Sequence, residues 1–320
     1  MPSINEGANW VMQLWGGFGP SRVLLTANNL GIFDYLAKAK TAAEVAKEIK
    51  IDTRATEILM NALTGLRLLK KTWDKYRNTI ISNRFLVSGT PYYQGDIIKH
   101  GDDLWKSWSD LDKVIKKGEP FHIPENHRAF IKGMHNLAIL KVKKVIHALN
   151  LQGVKAALDL GGGPGTYAME IAKKGVTVTL FDLPETINIA RKIGNSSGVR
   201  GIKFVKGNFL LDHFGKGYDL IFVSQVFHSF SEKENIRILK RSKEALNPQG
   251  RIAIQEFYID EDRSHPVQGA LFSINMLVQT KLGRCYTRRE IRSWLTKTGF
   301  RNVRSECLDD TILIQGTKGP

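Results

Sequence analysis

At 320 residues the chain is long enough for one large hydrophobic core with a smaller domain beside it, and its 42% hydrophobic content excludes disorder as the default state. No apolar run approaches bilayer length, residues 1–19 lack the charged start and cleavage site of a secretory signal, and Cys285 and Cys307 are too few for a disulfide framework or a zinc site, so a cytoplasmic protein without a bound metal is expected. The net charge of +16 would suit a nucleic-acid binder, yet the lysines are spread in short pairs such as Lys70-Lys71 and Lys173-Lys174, which reads as a basic solvated surface.

From Ser21 to Leu69 the pattern is helical throughout, with Thr41 and Asp52 placed as N-caps of helices over Ala42–Ile49 and Thr53–Leu69. Leu69 to Arg77 predicts a small hairpin turning near Asp74-Lys75, and Ser82 begins another short helix. Helices followed by a two-stranded wing make a winged-helix layout. Such a domain reads DNA or holds two chains together. The apolar residues Val11, Met12, Leu14, Trp15, Val23, Leu24, Leu25, Ile32, Phe33 and Leu36 exceed what so small a domain buries within itself, which favours dimerisation, and nucleic acid is not expected as a partner. Thr90 to Asn126 carries mixed signals and reads as a domain connection, so the domains are placed at 1–122 and 123–320. Helical periodicity returns over Arg128–Leu149.

The chain is organised around Leu158-Asp-Leu-Gly-Gly-Gly-Pro-Gly165, a short apolar run that ends in glycines and turns helical. This is the first strand-to-helix turn of a nucleotide-binding sheet, where residues without Cβ let backbone N–H groups approach a ligand. A dinucleotide fingerprint would put the third glycine at position 166; it falls at Gly165, giving the G-x-G-x-G usual for S-adenosyl-L-methionine (SAM). The next strand, 176–181, ends in Asp182, where a carboxylate suits the two hydroxyls of a ribose, although a strand-end cap is an equal reading of this residue alone. Strands over Ile202–Val205, Tyr218–Val223 and Arg251–Gln255, with an amphipathic helix over Glu232–Leu246, continue an α/β pattern with a parallel sheet. Ligands of such sheets lie beyond the carboxyl ends of the strands. Standing there are Gly161 to Gly165, Asp182-Leu183, Asn208-Phe209, Ser224 to Phe230, and Glu256. Among them His228 is the natural group to take a proton from a nucleophile, with Glu256 placed to orient its imidazole or hydrogen-bond the substrate.

With these residues the whole chain resembles the SAM-dependent O-methyltransferases of the caffeic acid, acetylserotonin and bacterial polyketide type. Leu30-Gly-Ile-Phe-Asp-Tyr-Leu36 and Thr41-Ala-Ala-Glu-Val-Ala46 are similar to that family's dimerisation domain, and Leu158 to Gly165, Phe181-Asp-Leu-Pro184 and Pro248-Gln-Gly-Arg251 to its cofactor domain. The resemblance implies a Rossmann-like sheet joined to an N-terminal helical winged-helix domain that forms a homodimer. It implies that Gly161, Gly163 and Gly165 line the methionyl part of SAM, Asp182 holds the ribose, Leu183 and Ser224 adjoin the cofactor, Asn208 and Phe209 border the adenine, and Phe230 offers an aromatic face where the family has a tryptophan. His228 matches the catalytic base and Glu256 one of two flanking glutamates. Phe130, Met134, Phe272 and Met276 match the lining of a pocket for a small-molecule acceptor, with plain core packing as the other reading. The chain departs from the family at Ser229, at Asn208, whose carbonyl oxygen still suits an adenine amino group, and at Cys285, which stands in place of the second glutamate and leaves His228 less firmly held. Transfer of a methyl group from SAM to a hydroxyl of an aromatic or polycyclic acceptor is the expected activity. The rivals are methylation at carbon or nitrogen and a non-catalytic SAM-binding DNA regulator.

Overall fold

A computed structural model describes residues 2–121 and 126–320, and its chain divides into two compact units, Met1–Asp102 and Asp103–Pro320. The boundary expected between residues 122 and 123 lies outside the described residues.

The first unit opens with α1 (Ile4–Gly16) and α2 (Phe18–Asn29), followed by β1 (Lys40–Thr41), α3 (Ala42–Ile49), α4 (Thr53–Gly65), β2 (Leu69–Thr72), β3 (Lys75–Asn78) and α5 (Ile80–Phe85). Thr41 and Asp52 cap α3 and α4 through their side-chain oxygens, as their positions predicted. The helix expected to run to Leu69 ends at Gly65, because Arg67 takes a left-handed backbone and turns the chain into β2. The hairpin turns at Trp73-Asp74, one residue early, and Thr79 rather than Ser82 opens the next helix. The helical run expected from Ser21 is broken by β1, which pairs with β3 and completes a three-stranded wing in the order β1-β3-β2. Ile32, Phe33, Leu36, Val45, Met60, Leu63, Leu69 and Tyr76 form the core between helices and wing. Helix α1 buries no residue at all, and Trp10, Val11, Met12, Leu14 and Trp15 are all more than half exposed.

Two helices, α6 (Gly95–Ser109) and α7 (Leu111–Lys117), occupy the stretch expected to be a connection. In α6 the apolar residues Ile97, Ile98, Leu104, Trp105 and Trp108 do fall at helical spacing, a signal the interleaved charges and the nearby prolines masked. The second unit continues with α8 (His127–Leu149), β4 (Ala156–Leu160), α9 (Thr166–Ala172), β5 (Thr177–Asp182), α10 (Pro184–Ser197), β6 (Ile202–Lys206), β7 (Tyr218–Ser224), α11 (Glu232–Ala245), β8 (Leu246–Ile259), α12 (Val267–Gln279), β9 (Tyr286–Thr287), α13 (Arg288–Lys297), β10 (Phe300–Leu308) and β11 (Thr311–Lys318).

The main sheet has the order β10-β11-β8-β7-β4-β5-β6, with β9 pairing to the far end of β8. Strands β6, β5, β4, β7 and β8 run parallel, while β11 enters antiparallel between β8 and β10. This closing hairpin was not expected from the sequence. Buried Leu158, Ile221, Ile252 and Trp294 fill one side of the sheet, and Ala157, Leu180, Phe222 and Leu149 the other. From β4 the chain winds outward through β5 and β6, then returns to β7 on the opposite flank. The strand order therefore reverses between β4 and β7, which opens a crevice at their carboxyl ends. Next to it, β7 and β8 pair in register with Ser224 opposite Gln255, so the residues that follow them, Gln225 and Glu256, stand side by side. Among the described residues no helix is long and apolar enough to cross a membrane.

Candidate active site

The glycine turn follows β4 because Gly161 can take a left-handed backbone, φ 71°, while its N–H bonds the Phe181 carbonyl of β5 at 2.9 Å. A Cβ at Gly161 would lie 2.8 Å from Val226 Cγ2, so a larger residue would push against the segment that leads into His228. Gly163, φ 53°, faces open space and donates its N–H to Asp182 Oδ2 at 2.8 Å. Gly165 then caps α9.

Asp182 receives a second N–H, from Leu183 at 2.7 Å on Oδ1, so each oxygen keeps a lone pair for a ligand. Burial raises its carboxyl above the ordinary range, and the Gly163 and Leu183 N–H groups pull it back. Below the turn lies Asp159, which the sequence reading passed over. It is 1% exposed, neither oxygen has a hydrogen-bond partner of normal geometry, and burial, together with the charge of Asp182, pushes its pKa up to about 7. The signal was present in the sequence as an acid inside an apolar strand, two residues before Gly161.

Across the crevice Asn208 and Phe209 open a turn that Arg241 of α11 clamps, its guanidinium donating to the carbonyls of Phe209, Leu211 and Asp212. The Asn208 amide oxygen already accepts the Leu210 N–H at 2.9 Å, leaving one lone pair, beside its two N–H donors, for an adenine edge. Phe209 meets Phe230 edge to face at 5.5 Å, so the phenylalanine standing for the family's tryptophan does present a ring here. The Ser224 hydroxyl donates to Gln255 at 3.0 Å, which commits its proton to the sheet. Its neighbour Gln225, which the sequence reading placed at the strand end without a role, has a left-handed backbone and a buried amide oxygen with no hydrogen-bond partner.

His228 sits in a short 3-10 turn, Phe227–Ser229, and is 9% exposed. Its Nδ1 lies 2.7 Å from Glu256 Oε2. The other oxygen of Glu256 accepts the N–H groups of Val226 at 2.7 Å and Phe227 at 2.6 Å. One carboxylate thus holds both the ring and the turn beneath it. Because a carboxylate only accepts, the shared proton belongs to Nδ1, and Nε2 keeps its lone pair. Asn235 closes the turn from the other side by donating to the Phe227 carbonyl at 2.9 Å. Cys285, standing where the family has its second glutamate, is buried and its thiol is pushed up to about 12 by desolvation, so it is a neutral group in the vicinity of Glu256.

Phe272 meets the His228 ring edge-on at 4.9 Å and lies against Phe257 at 4.3 Å with the two rings tilted, while Met276, one turn further along α12, is buried. Phe130 and Met134 lie one turn apart on the same side of α8, with Phe130 against His127 at 6.4 Å. On α12 Asn275, absent from the sequence reading, accepts from Trp108 at 3.0 Å and from Gln279 at 2.8 Å. His127 and Thr186 were also missed; they lie beside Asp182 and meet at 3.0 Å.

A glycine turn bonded to a strand-end carboxylate at the switch point of a parallel sheet, next to a buried histidine held by a second carboxylate, is the layout of a Rossmann-like enzyme. An O-methyltransferase domain matches residues 119–301 and an O-methyltransferase dimerisation domain matches residues 12–88. The chain belongs to the O-methyltransferase family. It is 30% identical to the 3-hydroxy-5-methyl-1-naphthoate 3-O-methyltransferase of Streptomyces sahachiroi, over 95% of this chain and 92% of that one. Acetylserotonin O-methyltransferase of Macaca mulatta is 29% identical, over 98% and 99% of the two chains. The crystal structure of human N-acetylserotonin methyltransferase in complex with SAM matches with a TM-score of 0.91 at 27% identity, covering 100% of both chains. The cofactor is SAM, and the residues present fit it: the turn at Gly163 leaves room for a ligand, Asp182 retains acceptors for a diol, and the unpartnered Asp159 suits a cationic group nearby.

Proposed function

We propose that the chain methylates a hydroxyl of a small aromatic or polycyclic acceptor, with His228 as general base and Glu256 as the group that positions it. The observation that carries this reading is the hydrogen-bonded pair His228–Glu256, buried at the crevice with the Phe272 ring against the imidazole. SAM supplies an electrophilic methyl group when bound. Gly161, Gly163, Gly165, Asp182, Leu183 and Ser224 hold its methionyl and ribose parts, and Asn208, Phe209 and Phe230 its adenine. Phe130, Met134, Phe272 and Met276 seat the flat acceptor, exclude water and bring its oxygen in line with the methyl carbon. His228 Nε2 then takes the hydroxyl proton, and Glu256 stabilises the imidazolium through Nδ1. Proximity supplies most of the rate, and the base adds a factor of about 10² to 10⁴.

The substrates for which the relatives are named, a hydroxynaphthoate and acetylserotonin, carry a hydroxyl on an aromatic ring and support the acceptor class. The unburied apolar stripe of α1 supports a homodimer built through the first domain, taken as residues 1–122. On α4, the exposed Ile58 stands beside Arg54 and Glu57, a surface better suited to a second chain than to DNA. Two unpaired thiols accord with a reducing, cytoplasmic compartment.

Labelled SAM offered with a panel of phenols, naphthols and quinols tests the proposal, with the methylated atom identified in the product. His228→Ala is expected to lower kcat about 10² to 10⁴-fold and to leave the Kd for S-adenosylhomocysteine within about twofold of wild type. A fully active variant would remove the base, and a methylated carbon or nitrogen would replace the acceptor class.

A further inference from the structure

The wing of the first unit turns its charge and an indole away from the fold. Leu69, Tyr76 and Asn78 are buried on its inner face, where Asn61 of α4 accepts from Tyr76 Oη and Lys71 Nζ at 2.8 Å each. The register sets Lys70 opposite Arg77 and Thr72 opposite Lys75 on the outer face. Lys70, Lys75 and Arg77 are exposed, and none of them forms an ion pair among the described residues. Glu44, whose charge reaches Lys75, is held in the cap of α3 by the Thr41 N–H at 2.7 Å. Like charges directly opposite across a ladder cost stability, so Lys70 against Arg77 strains the wing until something negative lies over it. The strands carry the turn Trp73-Asp74 about 10 Å beyond buried Leu69 and Asn78. There Trp73 is 93% exposed with a left-handed backbone, φ 57°, in a place hairpins ordinarily give to glycine or asparagine. An indole held in water, in a conformation its own Cβ disfavours, stabilises nothing within the chain.

We propose that this hairpin docks the protein on an anionic lipid surface, with the Trp73 indole entering the headgroup layer and Lys70, Lys75 and Arg77 lying over the lipid phosphates and carboxylates. An indole settles at that depth because its ring is apolar while its N–H still finds an acceptor. From Arg67 to Arg77 the only acid among five cations is Asp74, and each basic residue near an anionic membrane adds its own favourable increment. The rest of the domain favours a membrane over nucleic acid. Stacking on successive bases takes several exposed rings, yet the wing's other aromatic, Tyr76, is 1% exposed. Helix α4, which a DNA reader would lay in a groove, presents Glu57 and the apolar Ile58. A second copy is disfavoured as well, because a two-fold contact through this face would set Lys70, Lys75 and Arg77 against their own kind.

Flotation of the full chain with vesicles containing phosphatidylserine, and with phosphatidylcholine vesicles as the neutral probe, tests this. Wild type is expected to float with the anionic vesicles alone and to be released by salt. Lys70→Gln combined with Arg77→Gln should weaken partitioning about 20- to 30-fold, roughly fivefold for each cation, and Trp73→Gly should weaken it about tenfold. Glycine also relieves the left-handed backbone, so Trp73→Gly is expected to melt at or above the wild-type temperature, which separates lost docking from lost folding. Lipids brominated near the headgroup should quench the tryptophan fluorescence of wild type more than that of Trp73→Gly, because the remaining tryptophans are common to both. The proposal is overturned if neutral vesicles bind as well as anionic ones, or if either variant floats as wild type does. It is also overturned if DNA binds more tightly than the vesicles and is lost in the same variants, which would make the wing a nucleic-acid reader, or if sedimentation shows Trp73→Gly to lower the oligomeric state, which would make it a contact between chains.

Discussion

The two ends of the crevice are built on opposite plans. Around the glycine turn the work falls to the backbone: the N–H groups of left-handed Gly163 and of Leu183 point at Asp182, and side chains matter mainly by being absent. Around His228 it falls to one side chain, since Glu256 binds the imidazole and two backbone N–H groups together. The first end is therefore damaged by adding atoms and the second by changing them. A backbone cradle tolerates chemistry but not volume; a carboxylate hub tolerates neither.

The largest expected effect tests the hub. Glu256→Gln keeps the size, and its amide oxygen can still accept the Val226 and Phe227 N–H groups, but its amide N–H then faces Nδ1 and drives the imidazole proton to Nε2. A fall in kcat of about 10² to 10⁴-fold is expected from this wrong tautomer, with thermal stability nearly unchanged. Activity within tenfold of wild type would mean that the hub is structural only.

Next in size is the missing side chain. Gly161→Ala must place a methyl 2.8 Å from Val226 in a left-handed backbone, so a loss of roughly 1–3 kcal/mol in chemical denaturation is expected, with weaker S-adenosylhomocysteine binding. A variant as stable as wild type would show that the turn has slack.

The smallest effect distinguishes the ends by pH. Asp159 has its pKa raised from 3.8 to about 7, so between these values the unfolded chain ionises while the native one holds its proton. The native state then binds more protons than the unfolded state, and stability falls as pH rises through this window. Asp159→Asn escapes the penalty. Its advantage in unfolding free energy should be near zero at pH 4 and grow with rising pH to a plateau above pH 7. A gap that narrows with rising pH would refute the buried-acid reading.

What the sequence disclosed divides along the same line. The glycine spacing, Asp182 and the strand-helix alternation were readable because they obey local rules of period and backbone freedom. So was His228, by its place after β7. Hidden were contacts between segments far apart in the chain: Arg241 closing the Asn208 turn, Asn275 meeting Trp108, and His127 meeting Thr186. The β10–β11 hairpin escaped because strand pairing at a sheet edge leaves no period of its own. Glu256 was legible as a neighbour of the base, but its grip on the turn was not, and that grip answers the loss of a second glutamate at Cys285.

His228 and Glu256 reach each other because β7 and β8 lie in register, Ser224 against Gln255. Side chains alternate faces along a strand, so sliding β8 by a single residue would send Glu256 to the far surface of the sheet and bring an uncharged neighbour under the imidazole. Insertions or deletions anywhere between Arg251 and Gln255 should therefore abolish turnover even where the fold absorbs them, whereas lengthening the loop after Ile259 leaves that alignment intact.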